Sequence, residues 1–278
     1  MPENYIGIMC GTSLDSLDFS LCCFEKVKKL KTFKSYRINQ KLKNKINLCK
    51  TKPNNSSLFN ETDKEVTNFI IICLQKFIIF SKVNKIKAIG YPGITLVHNP
   101  NKCISKTLGN PKIIAAKTNF KVIGDFRLSD MKAGGQGAPL APYFHEYISL
   151  KEKPFINILN LGGFANWTYK SGNKLMAYDT GPANYLIDLI SNRYFNVPYD
   201  RNGLLAKKGK INDEALVAML SDKFFDQAIP KSTGFERSDL KWLKKCKDKY
   251  KLTNKNTLIA TVSQLTIISI SDAINSSH

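Results

Sequence analysis

The chain is short of acid, histidine and tryptophan. Its 278 residues hold 22 aspartates and glutamates against 42 lysines and arginines, with three histidines and two tryptophans. Seven cysteines are present (Cys10, Cys22, Cys23, Cys49, Cys73, Cys103 and Cys246), and no pair among them has metal-ligand spacing. With so few histidines beside them, zinc is not expected. Several of the cysteines lie in apolar runs and read as small buried hydrophobes, which fits a reducing cytosol. The sequence does not open on a basic stretch followed by an apolar one, so no signal peptide is expected. The most apolar helical stretch, 69–80, contains Gln75 and Lys76 and is too short to span a bilayer. A cytoplasmic protein without a membrane partner is the expectation.

The shortage of acid leaves a formal net charge of +20. A basic surface attracts polyanions. No aromatic RNA-recognition signature, zinc pattern or basic-aromatic repeat accompanies the lysines, so a lysine-rich solvated surface is expected and nucleic acid is not expected as a partner. The same field favours a negatively charged nucleotide or sugar acid.

The chain is long enough for a full core and two domains, and 43% of it is hydrophobic, as in ordinary soluble proteins. Residues 6–18, Ile-Gly-Ile-Met-Cys-Gly-Thr-Ser-Leu-Asp-Ser-Leu-Asp, run from an apolar strand through a turn of glycine, small hydroxyls and carboxylate into a second strand. Such a turn can aim N–H groups and hydroxyls at a phosphate, with Asp15 near enough to hold a hydrated metal ion. An ordinary hairpin turn is the other reading. Strands are expected at 5–9, 17–24, 31–38, 86–91 and 121–124, with a helix over 61–81 where Val66, Phe69, Ile70, Cys73, Leu74 and Phe77 recur at helical spacing. Asn110-Pro111 opens a further short helix, and 52–57 reads as a loop.

The pattern restarts with strands at 154–161, 164–169 and 175–178, then helices at 182–195, 212–220, 238–250 and 256–274, with Asn212 and Ser238 as caps. Each half has a strand-turn-strand unit with a glycine-bearing turn, and the pair reads as two related α/β domains, 1–124 and 125–278, facing a cleft. Gly162-Gly163 is the second candidate phosphate turn, although Gly-Gly also marks plain hairpins. In Tyr178-Asp179-Thr180-Gly181-Pro182 an acid lies between a strand and a helix N-terminus. There the helix dipole favours the ionised form, so Asp179 is a candidate general base, with a helix cap or Asx-turn as the plain alternative. Between an apolar strand and a helix at 141–149 runs a glycine-dense loop. Its Asp125, Arg127, Asp130 and Gln136 are candidates for hydrogen-bonding a sugar. Lys231-Ser232-Thr233-Gly234 reads as an anion contact or a helix-end turn, and structural roles are expected for His98 and His145.

Together these segments resemble the anhydro-N-acetylmuramic acid kinases, members of the actin, Hsp70 and sugar-kinase superfamily. The motifs at 7–18, 124–127, 134–140, 160–166, 178–184 and 230–234 occur in family order. The resemblance implies an α/β fold of two ribonuclease H-like, actin-like ATPase domains flanking a cleft, the second incomplete at its C-terminus. It implies ATP and Mg²⁺ as cofactors. The nucleotide would be held by Gly11, Thr12, Ser13, Leu14, Asp15, Ser16, Leu17 and Asp18 with Gly162 and Gly163, and the metal by Asp15 through water. Asp179 would be the base that activates water against the anomeric carbon of 1,6-anhydro-N-acetylmuramic acid, while O6 takes the γ-phosphate. Asp125, Arg127, Gln136 and Asn184 would contact this anhydro amino sugar, and a homodimer is a candidate assembly.

The family usually has Ser at position 10, Gly at 16, His-Gly-Gln-Thr at 92–95, two more arginines at 128–129 and Arg at 235; this chain has Cys10, Ser16, Pro92-Gly93-Ile94-Thr95, Leu128-Ser129 and Phe235. The sequence stops after the helix that in the family precedes a triple-glycine nucleotide loop. Weakened ATP affinity or a catalytically impaired binding remnant is therefore the alternative expectation.

Overall fold

A computed structural model describes residues 3–24, 28–149, 155–171, 174–233 and 240–276. The chain divides into two compact units, residues 1–137 and 138–278. The division falls later than the 124/125 boundary expected from the sequence, because the glycine loop after residue 125 folds back onto the first unit.

In the first unit β1 (Asn4–Cys10) and β2 (Ser16–Phe24) form an antiparallel hairpin, extended by β3 (Lys28–Arg37). Strand alternation sends Ile6, Ile8 and Cys10 of β1 and Leu17, Phe19 and Leu21 of β2 to one buried face. Helices α1 (Gln40–Thr51) and α2 (Ser56–Ser81) follow. Their first turns are capped by Asn39, whose Oδ1 accepts from Leu42 N at 2.9 Å, and by Asn55, which accepts from Leu58 N at 2.9 Å. On α2, Val66, Ile70, Cys73, Leu74 and Phe77 share the stripe that meets the sheet. The Phe77 ring lies 5.4 Å from that of Phe19.

β4 (Ala88–Gly90) pairs parallel with β1. After it come a hairpin of β5 (Ile94–Asn99) and β6 (Ile104–Leu108), helix α3 (Pro111–Thr118) and β7 (Val122–Ile123), which pairs parallel with β4. The five-stranded order is β3-β2-β1-β4-β7. α4 (Phe126–Lys132) closes the unit.

The second unit opens with α5 (Ala141–Ser149) and an antiparallel meander of β8 (Phe155–Leu161), β9 (Phe164–Ser171) and β10 (Lys174–Pro182). α6 (Asn184–Phe195), α7 (Asp213–Leu220), α8 (Leu240–Lys249) and α9 (Lys255–Asn275) complete it. Leu186 and Ile190 of α6, Leu216 and Met219 of α7, and Leu258, Ile259, Val262 and Leu265 of α9 form the core of this unit. α9 has the length and hydropathy of a membrane span, yet these residues bury its apolar face inside the unit.

The expected strands and the helices at 110, 141–149, 182–195, 212–220 and 256–274 are present within a few residues of their expected ends. Asn212 is the expected cap, its Oδ1 accepting from Ala215 N at 2.8 Å; Ser238 lies outside the described residues. Three parts differ. α1 is absent from the sequence expectation because its buried residues, Leu42, Ile46 and Cys49, are diluted by lysines at 41, 43, 45 and 50. α2 begins at Ser56, inside the expected loop, because Asn55 is already the cap. The β5–β6 hairpin is likewise unread, and α4 interrupts what reads as continuous loop.

Candidate functional site

In the first unit the expected phosphate turn joins β1 to β2. Leu14 N donates to Gly11 O at 3.1 Å, and Leu14 has a positive φ of 57°. The turn holds that unusual conformation because the Leu14 side chain anchors it in the core at 1% exposure. Leu17 is buried too, so at these two positions only backbone is left to meet a ligand. Gly11, Thr12, Ser13 and Asp15 are exposed, and Ser16 and Asp18 are half-buried. The Ser16 hydroxyl donates to Asp18 Oδ1 at 2.8 Å.

Asp15 Oδ1 accepts from Lys43 Nζ of α1 at 2.7 Å. Partial burial works to raise the Asp15 carboxyl, but hydrogen bonds from Lys43 and Ser13, with the charges of Lys43 and Arg37, outweigh it and hold the group below its ordinary value. Two turns further along the same helix, Lys50 is pushed down to about 8 by burial, with Cys10 drawing it up and Lys43 adding to the fall. Cys10 is pushed up to about 12 by burial, so it is an inert thiol rather than a reactive one. The turn is thus ringed by cations from α1 and β3. The sequence reading misses Lys43 and Lys50 because it misses α1; the Asn39 cap followed by Leu42, Ile46 and Cys49 is the signal that reveals it.

Among the described residues no group of three or more His, Cys, Asp or Glu side chains is placed to hold a metal ion. Mg²⁺ keeps most of its waters and needs only one or two carboxylates beside substrate phosphates. The exposed, ionised Asp15 fits that water-mediated role and not an all-protein cage.

The glycine loop of this unit is closed by its own polar residues. Arg127 Nη1 donates to Gly137 O at 2.7 Å, and Asp130 Oδ2 accepts from Gly137 N at 2.7 Å. His98 Nε2, from β5, lies 2.9 Å from Gln136 O. The side chains of Asp125 and Gln136 are exposed, and Asp125, at φ 55°, makes no cap bond to α4. Of the expected sugar-contacting set, Arg127 and Asp130 therefore also shape the loop. Ile94, where the family has a polar residue, is a core side chain at 4% exposure.

Burial and the charge of Arg127 lower the His98 pKa, against the bond to Gln136. Below about pH 6.5 the unfolded chain binds a proton that folded His98 resists, so stability falls as the pH drops through that value toward the lower folded one. In urea unfolding compared at about pH 7.5 and about pH 5.5, wild type should lose more stability than H98Q over that interval. Equal losses would show that His98 titrates as it does in the unfolded chain.

In the second unit Asp179 lies near the end of β10, 7% exposed, where a register shift between Asp179 and Gly181 interrupts the pairing with β9. Bulges of this kind re-aim side chains. Flanking residues fix the strand. Tyr178 OH donates to Ala273 O at 2.9 Å, and Thr266 Oγ1 donates to Pro182 O at 3.0 Å, both from α9. Asp179 N donates to Lys231 O at 2.9 Å, and Asp179 Oδ2 accepts from Thr233 N at 2.8 Å. A hydrogen bond to the charged form favours ionised carboxylate. The helix-cap alternative does not describe Asp179, because the cap of α6 is Ala183, which makes no side-chain cap bond.

The first amides of α6 are satisfied by the Gly162-Gly163 turn. Asn184 N donates to Gly162 O at 3.1 Å, and Ala183 N and Tyr185 N donate to Gly163 O at 2.9 and 3.0 Å. Asn184 Nδ2 adds bonds to Leu161 O at 3.2 Å and Gly162 O at 3.1 Å. In the described geometry Asn184 and the two glycines therefore lock turn to helix. His145 contacts Thr168 Oγ1 at 3.0 Å, a structural role.

The antiparallel hairpin continued by parallel strands in the first unit, with helices packed on it, is the arrangement of ribonuclease H-like, actin-like α/β proteins. The profile of the anhydro-N-acetylmuramic acid kinase family matches residues 3–278. Anhydro-N-acetylmuramic acid kinases of Sulfurovum sp. and Sulfurimonas denitrificans are each 38% identical, over 98% and 100% of this chain and 77% and 78% of their own length. That of Pasteurella multocida is 36% identical over 98% of this chain and 74% of its own. The chain belongs to the anhydro-N-acetylmuramic acid kinase family. The ROK hexokinase from Thermus thermophilus superposes on 97% of this chain and 100% of its own at a TM-score of 0.36 and 10% identity, too loose a likeness to bear on fold or chemistry.

Proposed function

We propose that the protein is an ATP-dependent cytoplasmic kinase of peptidoglycan recycling. It opens 1,6-anhydro-N-acetylmuramic acid with water and phosphorylates the freed O6, giving N-acetylmuramic acid 6-phosphate and ADP. The family match over residues 3–278 carries this reading, and the buried Asp179 carboxylate supports it.

In the proposed reaction Asp179 takes a proton from water as the water oxygen bonds to the anomeric carbon. The C1–O6 bond breaks, and its electron pair goes to O6, which attacks the γ-phosphorus and expels ADP. This resembles inverting glycoside hydrolysis with a phosphoryl group in place of the acid. The Thr233 N–H holds the Asp179 carboxylate in place. The amides and hydroxyls of the 11–18 turn, with Lys43 and Lys50 beside them, bind the nucleotide phosphates. Within the first unit Asp125, Arg127 and Gln136 are the proposed sugar contacts; within the second, Gly162 and Gly163 are proposed nucleotide contacts and Asn184 a proposed sugar contact. Mg²⁺, held through water by Asp15, supplies charge neutralisation on the phosphates.

Incubation of the protein with ATP, Mg²⁺ and the anhydro sugar, read by mass spectrometry, should give the 6-phosphate in step with ADP. Binding of ATP or sugar with no product would replace this reading with that of a non-catalytic binding protein.

A further inference from the structure

Asp179 is hydrogen-bonded twice to one short segment, by its own N–H to Lys231 O and by its carboxylate to Thr233 N. What holds that segment is the Lys231 side chain. Its Nζ donates to the carbonyls of Phe224 at 3.1 Å and Phe225 at 2.8 Å, and lies 4.7 Å from the centroid of the Phe224 ring. The acceptors are themselves fixed, because Asp222 receives Phe224 N on its carboxylate at 2.9 Å and Phe225 N on its carbonyl at 2.9 Å. Phe224 is 3% exposed. The edge of the Phe225 ring approaches Gly181 so closely that a Cβ there would lie 3.1 Å from it. The contacts therefore close a circuit: Asp179 to residues 231–233, Lys231 to Phe224 and Phe225, and Phe225 back to Gly181, two residues beyond Asp179 on the same strand.

We propose that Lys231 is a positioning residue for Asp179: its ammonium staples residues 231–233 to the 222–225 turn, and so keeps the Thr233 N–H on the carboxylate. The proposal rests on the reading of Asp179 as the base. It gives the Lys-Ser-Thr segment a role other than contact with an anion. Burial lowers the Lys231 pKa, with the charge of Asp226 acting the other way.

The test is K231M, which keeps the aliphatic stem and removes the donors. Asp179 titration is followed by carboxyl ¹³C NMR without substrate, the resonance being assigned with D179N, and kcat is measured against pH. In K231M the Asp179 carboxyl should titrate at higher pH, because its N–H donor is loosened. The acid limb of the kcat profile should move the same way, with kcat down about 10-fold to 100-fold and KM for ATP unchanged. An unmoved titration and acid limb, with only a lower melting temperature, would make Lys231 merely structural and overturn the proposal. A raised KM with the titration unmoved would overturn it in favour of substrate contact. If K231M does not fold, K231Q, which keeps an uncharged amide NH₂ as donor, is read by the same criteria. Failure of the base reading itself would appear separately, as full turnover by D179N, while the NMR titration still decides whether Lys231 holds the carboxylate.

Discussion

Replacing Asp179 by Asn is expected to lower kcat by about 10²-fold to 10⁴-fold, the usual loss when a positioned general base is removed. The substitution is nearly isosteric. An asparagine can turn its amide oxygen to Thr233 N–H and so keep the 2.8 Å bond, and its backbone bond to Lys231 O is untouched. What disappears is the ability to take a proton from water. Calorimetry should therefore find ATP binding and melting temperature close to wild type while product formation collapses. Turnover within a few-fold of wild type would remove Asp179 from the mechanism.

Gly109→Ala should strongly destabilise the first unit, by about 3 kcal/mol or more, summing backbone strain and overpacking. Gly109 has φ 90°, a conformation that L side chains avoid. An added Cβ would collide with the Tyr91 hydroxyl and lie 2.7 Å from Ile70 Cδ1. Neither can give way easily. Tyr91 is 1% exposed and bonded to Leu108 O at 2.8 Å, and Ile70 is fully buried on α2. Moving the backbone would also break the bond from Gly109 N to Asp63 Oδ1 at 2.7 Å. Chemical denaturation should show the loss in the midpoint; a shift of less than about 1 kcal/mol would mean that the core can rearrange around the methyl.

The parts of this fold that were legible in the sequence are those where local chemistry and tertiary structure agree. The β1–β2 hairpin declares itself by alternation, because one face is buried and the other is not, and α2 by a clean apolar stripe. α3 shows an Asn cap followed by proline. α1 did not declare itself: its three buried residues are too sparse among lysines to outweigh a polar average, and the Asn39 cap alone did not mark it. With α1 went Lys43 and Lys50, so the cationic side of the phosphate turn was not visible. Asp179 was legible as an acid at a strand end, but its partners were not. Thr233 and Lys231 are more than fifty residues away in sequence, and only folding brings their amide and carbonyl to it. The Gly162-Gly163 turn was legible as a turn, whereas its service to the first amides of α6 depends on where that helix begins.

The position of β3 at one margin of the five-stranded sheet bears on how the protein survives at high concentration. An outermost strand offers open backbone donors and acceptors to any other chain, the starting point of aggregation by strand addition. β3 reads Lys-Lys-Leu-Lys-Thr-Phe-Lys-Ser-Tyr-Arg, and a second copy docking there would bring like charges together along its length. The opposite margin, β7, is two residues long, too short to template anything. Part of the large positive charge thus acts as a gatekeeper against self-association, independent of any ligand.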